Sequence, residues 1–172
     1  MVVLAAVEQA DRDALLAFEL VNRAFFEANI NARPPAYYST AGVAQAIDIA
    51  IADTAAGRGY QFLIKSREGE ILGRINLRDV GRTHLHSAVL GYRIAEAQGG
   101  KGYASAAVRE LLDIAFGRLG LMRIEASARV TNPGSVRVLE RNGFSQFDHL
   151  RDSFLLNGVW HDRLLFERHA HA

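Results

Sequence analysis

The 172-residue chain has no cysteine, three prolines and a single tryptophan. Lacking cysteine, it can form no disulfide, thiolate nucleophile or zinc ribbon, so no reaction of this chain can pass through a covalent cysteine intermediate. Its charges nearly cancel, 20 Lys and Arg against 19 Asp and Glu. No global field draws in nucleic acid, and no lysine or arginine run supplies a local one. No apolar run approaches the ~20 residues that cross a bilayer. The opening MVVLAAVEQADRD has no basic segment ahead of its short apolar run, and Asp11 and Asp13 interrupt it early. These absences predict a cytoplasmic chain with neither nucleic acid nor membrane as a partner. Hydrophobic residues make up 49%, enough to fill a core, so residues 1–172 are expected to form a single domain. The oligomeric state, a homodimer included, is left open.

The periodicity predicts a β-α-α-β-β-β-α-β-α-β-β order. Val2–Val7 reads as a strand. Residues 10–30 read as a helix with its stripe at Leu15, Leu16, Phe18, Val21, Phe25 and Phe26. Asn29–Thr40 is a loop around Pro34 and Pro35, and a second helix follows to Ala56. Strands are expected at Tyr60–Ser66, Ile71–Val80 and His84–Ile94, then a helix over 102–118 closed by Gly120. In Leu121–Val130, Met122, Ile124, Ala126 and Ala128 alternate with Arg123, Glu125, Ser127 and Arg129. Asn132 caps a short helix with Pro133 at its first position. Phe144–Leu156 and Trp160–Arg168 form a hairpin about Asn157-Gly158, leaving His169–Ala172 as a frayed tail. The strands flanking the central helix must be parallel and the other neighbours are expected to be hairpins, giving an α/β mixed sheet.

The segment GYRIAEAQGGKGYASAAVRELLDIAF, Gly91–Phe116, holds the chemistry: a strand, a turn with Gly99, Gly100, Lys101 and Gly102, then an amphipathic helix. The first N–H groups of a helix lack internal partners and sit at the positive end of its dipole. Glycines let a bound anion approach that main chain closely. The turn is no nucleoside-triphosphate loop, because Gly102 follows Lys101 and Ala95 stands where a glycine is needed. It is no dinucleotide fingerprint either. Ser105 takes the third glycine's place, and about twenty positions on stand Gly120 and Leu121 rather than an acid. A glycine-rich connection with no ligand is the bland alternative.

The turn and helix, followed by Asn132-Pro133-Gly134-Ser135 and VLERNGF (Val138–Phe144), resemble the GNAT N-acetyltransferase superfamily. VLGYRIAEA, GLMRIEASARVTNPGS and DSFLLNGVWHDRLLFE are similar to its ribosomal-protein branch, which acts on alanine or serine N-termini. The resemblance covers nearly the whole chain and is densest over 70–168. It implies the acyl-CoA N-acyltransferase fold, about seven strands flanked by about four helices, with acetyl-CoA as cofactor. Tyr92, Arg93 and Ile94 then correspond to the strand whose backbone meets the pantetheine arm. Gly99, Gly100, Lys101, Gly102, Tyr103 and Ala104 correspond to the pyrophosphate turn. Gly102 and Ala104 match its pattern. Gly99 stands where the family has Gln or Arg, and Gln98 is one place early. Asn132 and Ser135 match N-x-x-S, implying a pantetheine contact and a group near the sulfur, while Arg141 is expected at the 3′-phosphate.

The implied reaction is direct attack of a primary amine on the thioester. An α-amine, with a pKa near 7.7–8.0, is roughly a tenth to a quarter neutral at cytosolic pH, so a modest base suffices. Glu125 is the candidate base, unless it merely pairs with Arg123 or Arg129. Ser135 is the candidate proton donor to the thiolate, and backbone N–H near Arg93–Ile94 would polarise the carbonyl. Phe26, Tyr37, Tyr38 and Trp160 are expected to line the acceptor pocket. The acceptor is a protein N-terminus or a small amine such as an antibiotic or a polyamine; a silent acyl-CoA-binding module is the alternative outside enzymes. His84 and His86 form H-x-H on one strand face without a carboxylate cluster nearby, so no metal is expected.

Overall fold

A computed structural model of the protein describes residues 1–171. Seven strands, β1 (Val3–Ala6), β2 (Tyr60–Lys65), β3 (Ile71–Gly81), β4 (Ser87–Ile94), β5 (Arg123–Arg129), β6 (Ser145–Leu156) and β7 (Val159–His169), form one sheet in the order β1-β2-β3-β4-β5-β7-β6. Four α-helices flank it: α1 (Arg12–Asn29), α2 (Thr40–Ala55), α3 (Tyr103–Asp113) and α4 (Pro133–Arg141). Only β4 and β5, joined through α3, are parallel; every other neighbouring pair is antiparallel. Two of those pairs are not the expected hairpins. The segment holding α1 and α2 separates β1 from β2, and α4 with β6 separates β5 from β7.

The sheet buries both faces. Leu63 and Ala95 pack with Leu15, Phe18, Phe26, Val43 and Ile47 of α1 and α2. Phe62, Ile64, Ile75, Leu77 and Leu90 pack with Val108, Leu111 and Leu139 of α3 and α4 on the other side. The local signals fall where the chain turns. Asn132 Oδ1 accepts the Ser135 N–H at 3.1 Å and starts α4. Asn157 and Gly158, both at positive φ (50° and 79°), make the β6–β7 turn whose twist suits a hairpin.

Several expectations are corrected. Val21 is 83% exposed, because the stripe of α1 runs through Leu15, Phe18, Glu19, Asn22 and Phe26 instead. That stripe follows helical spacing with two polar residues inside it. β4 starts at Ser87, so His84 and His86 lie in the β3–β4 connection and not on one strand face. Met122 precedes β5 and is 43% exposed. The predicted last helix turns are a π-helical turn, Ile114–Arg118, continuing α3. His169 belongs to β7, and the Ala170 N–H bonds the Met122 carbonyl at 2.9 Å, so the expected frayed tail is held that far. Ala172 lies outside the described residues.

Candidate active site

The parallel pair at the centre of the sheet is zipped for only three rungs, Ser87–Val89 against Arg123–Glu125. Beyond them β4 continues on β3 to Ile94, and β5 continues on β7 to Arg129. The two strands part, and their facing edges carry main-chain donors and acceptors with no partner strand. Such an edge can bond an extended ligand as it would another strand. A cleft of about 1000 Å³ opens here, reaching residues from both sides of the sheet.

At one end of the cleft is the glycine turn. Gly99 is extended, while Gly100 and Gly102 have φ of 72° and 82°, a region where side chains other than glycine's are strained. A Cβ at Gly100 or Gly102 would meet nothing within 4 Å, so these glycines serve backbone conformation and open access rather than packing. Gly102 is the N-cap of α3, and no side chain caps it. The free N–H groups, the dipole and the open approach suit a pyrophosphate. The turn is anchored from α1, where Asn22 Oδ1 accepts the Glu96 N–H at 3.0 Å.

From α4, Ser135 Oγ stands 3.0 Å from the Tyr92 hydroxyl. Burial raises the Tyr92 pKa against the opposing effect of that hydrogen bond, so the phenol keeps its proton at neutral pH. Asn132 spends Oδ1 on its cap, and among the described residues its amide nitrogen has no hydrogen bond. Arg137 and Arg141 border the same end of the cleft.

The other end lies under α1. Glu19, 1% exposed, accepts from Arg74 Nη1 at 2.6 Å and from the Tyr37 hydroxyl at 3.2 Å, with Arg33 Nη2 at 3.7 Å. Arg74 also bonds Gln61 Oε1 at 2.9 Å and the Tyr37 oxygen at 2.9 Å. Arg93 lies opposite Arg74 in the β3–β4 register, with its guanidinium 5.2 Å from the Phe26 ring. It has no hydrogen bond or salt bridge among the described residues. Burial first, and then the Arg33 cation, draw its pKa down to about 10, with Glu19 pulling the other way. Asn76 Oδ1 and Arg33 Nε, both on cleft-lining residues, are buried without a partner. The described residues lining the cleft include eight arginines and no aspartate or glutamate.

Of the residues singled out by sequence, the cleft gathers Phe26, Tyr92, Arg93, Ile94, Gly99, Gly100, Gly102, Tyr103, Ala104, Asn132, Ser135 and Arg141. Five fall outside its lining. Glu125 sits in the zipped part of β5, opposite Val89, and accepts from Arg123 Nη1 at 2.7 Å; it is the paired strand glutamate, not a base in the cleft. Lys101 is exposed and donates to Gln98 Oε1 at 3.0 Å. Tyr37 is buried in the Glu19 cluster. Tyr38 carries the Arg23 guanidinium on its ring at 4.0 Å. Trp160 is 57% exposed on the β6–β7 hairpin, which sends Phe154 and Arg163 to the cleft instead. Arg33, Gln61, Arg74 and Asn76 were not anticipated. For Arg74 and Asn76 the available signal was the alternation of Arg74, Asn76 and Arg78 with Ile75 and Leu77 in β3.

Among the described residues no three His, Asp or Glu side chains group as a metal site, and no helix is long and apolar enough to cross a membrane.

The profile of the family described as "Acetyltransferase (GNAT) domain" matches residues 2–145. The chain is 34% identical over 157 residues to the probable N-acetyltransferase YjcK of Bacillus subtilis, covering 91% of this chain and 87% of that one. Over shorter spans it is 30% identical to the spermidine N(1)-acetyltransferase of Vibrio cholerae (102 residues, 59% of this chain and 58% of that). It is 31% identical to the [ribosomal protein uS5]-alanine N-acetyltransferase of Escherichia coli (110 residues, 63% and 57%). Its backbone matches Mycobacterium smegmatis RimJ, solved in complex with CoA-disulfide, with a TM-score of 0.90 at 28% identity, covering 99% of this chain and 82% of that one.

Proposed function

The chain belongs to the GNAT acetyltransferase family, and from that premise we propose that it acetylates the α-amine of a protein N-terminus in the cytoplasm. It is an acetyl-CoA-dependent N-acetyltransferase. Acetyl-CoA supplies the activated acetyl group as a thioester. Gly99–Ala104 and the N-terminus of α3 are suited to the pyrophosphate, Arg141 to the 3′-phosphate, and the open edge of β4 at Tyr92–Ile94 to the pantetheine amides. Asn132 offers its free amide nitrogen to the same arm. The cleft crosses the sheet where β4 and β5 part, so the phosphate end and the α1 end serve two different molecules.

Tyr92 Oη and Ser135 Oγ form a hydrogen-bonded pair that holds a proton at the sulfur end. This arrangement speaks for a working transferase rather than a silent CoA-binding module. At the acceptor end no Asp or Glu among the described residues lines the cleft, and the proposal assigns the base's role to water. Guanidinium groups disfavour an ammonium beside them and thereby lower its pKa, which raises the neutral fraction of an amine already close to its titration point. An α-amine fits that regime; a lysine, near 10.4, has much further to fall.

The observation that carries the choice of acceptor is this cationic lining without an acid. A polyamine brings several positive charges into a wall of arginines and finds no counter-ion, which weighs against the relative that acts on spermidine as a guide to substrate. The test incubates the protein and acetyl-CoA with an alanine-initiated peptide containing an internal lysine, and with spermidine in parallel, read by mass spectrometry. Acetylation at the peptide α-amine is expected. Modification of spermidine alone, or of the lysine side chain alone, overturns this reading.

A further inference from the structure

We infer that the acceptor carries a carboxylate within its first residues, read by Arg93 with Arg33, so that N-termini followed by Asp or Glu are the preferred substrates. The inference rests on the N-terminal reading above and deepens it.

Arg74 and Arg33 face one carboxylate, Glu19, and Arg93 stands near it without an ion pair, so the three arginines and one acid leave this cluster two positive charges in excess. Glu19 is already engaged by Arg74 and by Tyr37 at hydrogen-bond distance. Arg33 reaches it only at 3.7 Å, and its Nε is buried without a partner. Among the described residues Arg93 has the Phe26 ring and no hydrogen bond or salt bridge. A desolvated guanidinium without an acceptor is costly, and a bound carboxylate removes that cost.

The excess charge is not there for the phosphates of CoA. Tyr92 reaches Ser135 of α4, whereas Arg93, the next residue of the same strand, reaches Phe26 of α1; successive strand side chains take opposite faces. The glycine turn, Arg137 and Arg141 serve the α3–α4 side. Arg93 and Arg33 line the cleft on the α1 side, the acceptor end of the proposed reading. There a guanidinium favours a carboxylate by a bidentate, charge-assisted contact that an amide cannot match. Asn76, opposite Gly91 and two residues along from Arg74, adds a buried carbonyl oxygen that accepts from a backbone N–H of the same segment.

The experiment compares peptides of one length beginning Ala-Asp, Ala-Glu, Ala-Asn, Ala-Gln and Ala-Lys. Initial rates of acetylation are measured, and each peptide is also titrated calorimetrically into the CoA-saturated protein. The acidic peptides are expected to exceed their amide counterparts by on the order of tenfold or more in both kcat/KM and affinity, with Ala-Lys the poorest. In Arg93→Gln the acidic-to-amide ratio is expected to collapse towards one. Because that ratio is taken within one variant, a general loss of activity cancels; Arg33→Gln provides a second reading should Arg93→Gln fold poorly. Equal rates on acidic and amide peptides overturn this inference alone and leave the N-terminal reading standing. Acetylation of none of the peptides overturns both.

Discussion

The two ends of the cleft are built from different materials. The end proposed for the donor is mostly main chain, the glycine turn, the first turn of α3 and the parted edge of β4, with Tyr92, Asn132, Ser135 and Arg141 beside it. The end proposed for the acceptor is side chain: Glu19, Arg33, Gln61, Arg74 and Arg93, drawn from α1, a loop and three strands. A backbone site needs only a permissive local sequence and recognises a group that every member of a family shares. A site of long side chains needs a counter-ion, Glu19, to gather it, and its residual charge decides what it accepts. The contrast separates what the family has in common from what this chain selects.

The sharpest way to break the comparison is to remove the counter-ion. Glu19→Gln leaves Arg74 buried without its carboxylate and should cost about 3 kcal/mol or more, lowering the melting temperature by roughly 6–12 °C. A melting curve superimposable on that of the parent would show that the arginines are not held by Glu19. Next, Gly102→Val forces a β-branched residue to a φ of 82°, costing about 1–2 kcal/mol of stability, while CoA affinity should fall roughly tenfold or more. Calorimetry with CoA separates the two effects, and unchanged affinity would mean that the turn is only a connection. Tyr92→Phe and Ser135→Ala come third. Each is expected to lower kcat by about tenfold and to leave the KM for acetyl-CoA within roughly threefold; a change confined to KM would make the pair a binding contact. The smallest effect belongs to Lys101→Ala. That lysine is exposed and outside the cleft lining, so the KM for acetyl-CoA should rise by less than about threefold.

The same contrast decides what could be read from the sequence. Gly99–Ala104, Asn132 and Ser135 are near one another along the chain, and local rules of caps, glycine conformations and helix ends point to them directly. Element order, the parallel central pair and the β6–β7 turn were legible for the same reason. Glu19 and Asn22 were hidden because an apolar stripe was sought in α1, and Val21 was placed in it at the expense of two buried polar residues. Arg74 and Arg93 come together only through the β3–β4 register, which hydrophobic alternation does not number. Glu125 was misjudged on a similar point. Its strand does face the cleft, but at that residue β4 and β5 are still zipped, and the opening begins one step later.

The three-rung junction of β4 and β5 has a consequence for how the molecule survives in a cell. Strands β1–β4 and strands β5–β7 are two half-sheets held by that short seam, by α3 and by the packing across it. On the proposed placement the donor's pantetheine arm bonds the free edge of β4 inside the gap while its phosphates sit at the start of α3, so it braces the seam as a removable cross-tie. Occupancy at a hundred times the dissociation constant adds about 2.7 kcal/mol to stability by mass action. Amide exchange along Leu90–Ile94 should slow on binding more than anywhere else in the sheet. The durability of the folded chain is thereby tied to the supply of its own donor.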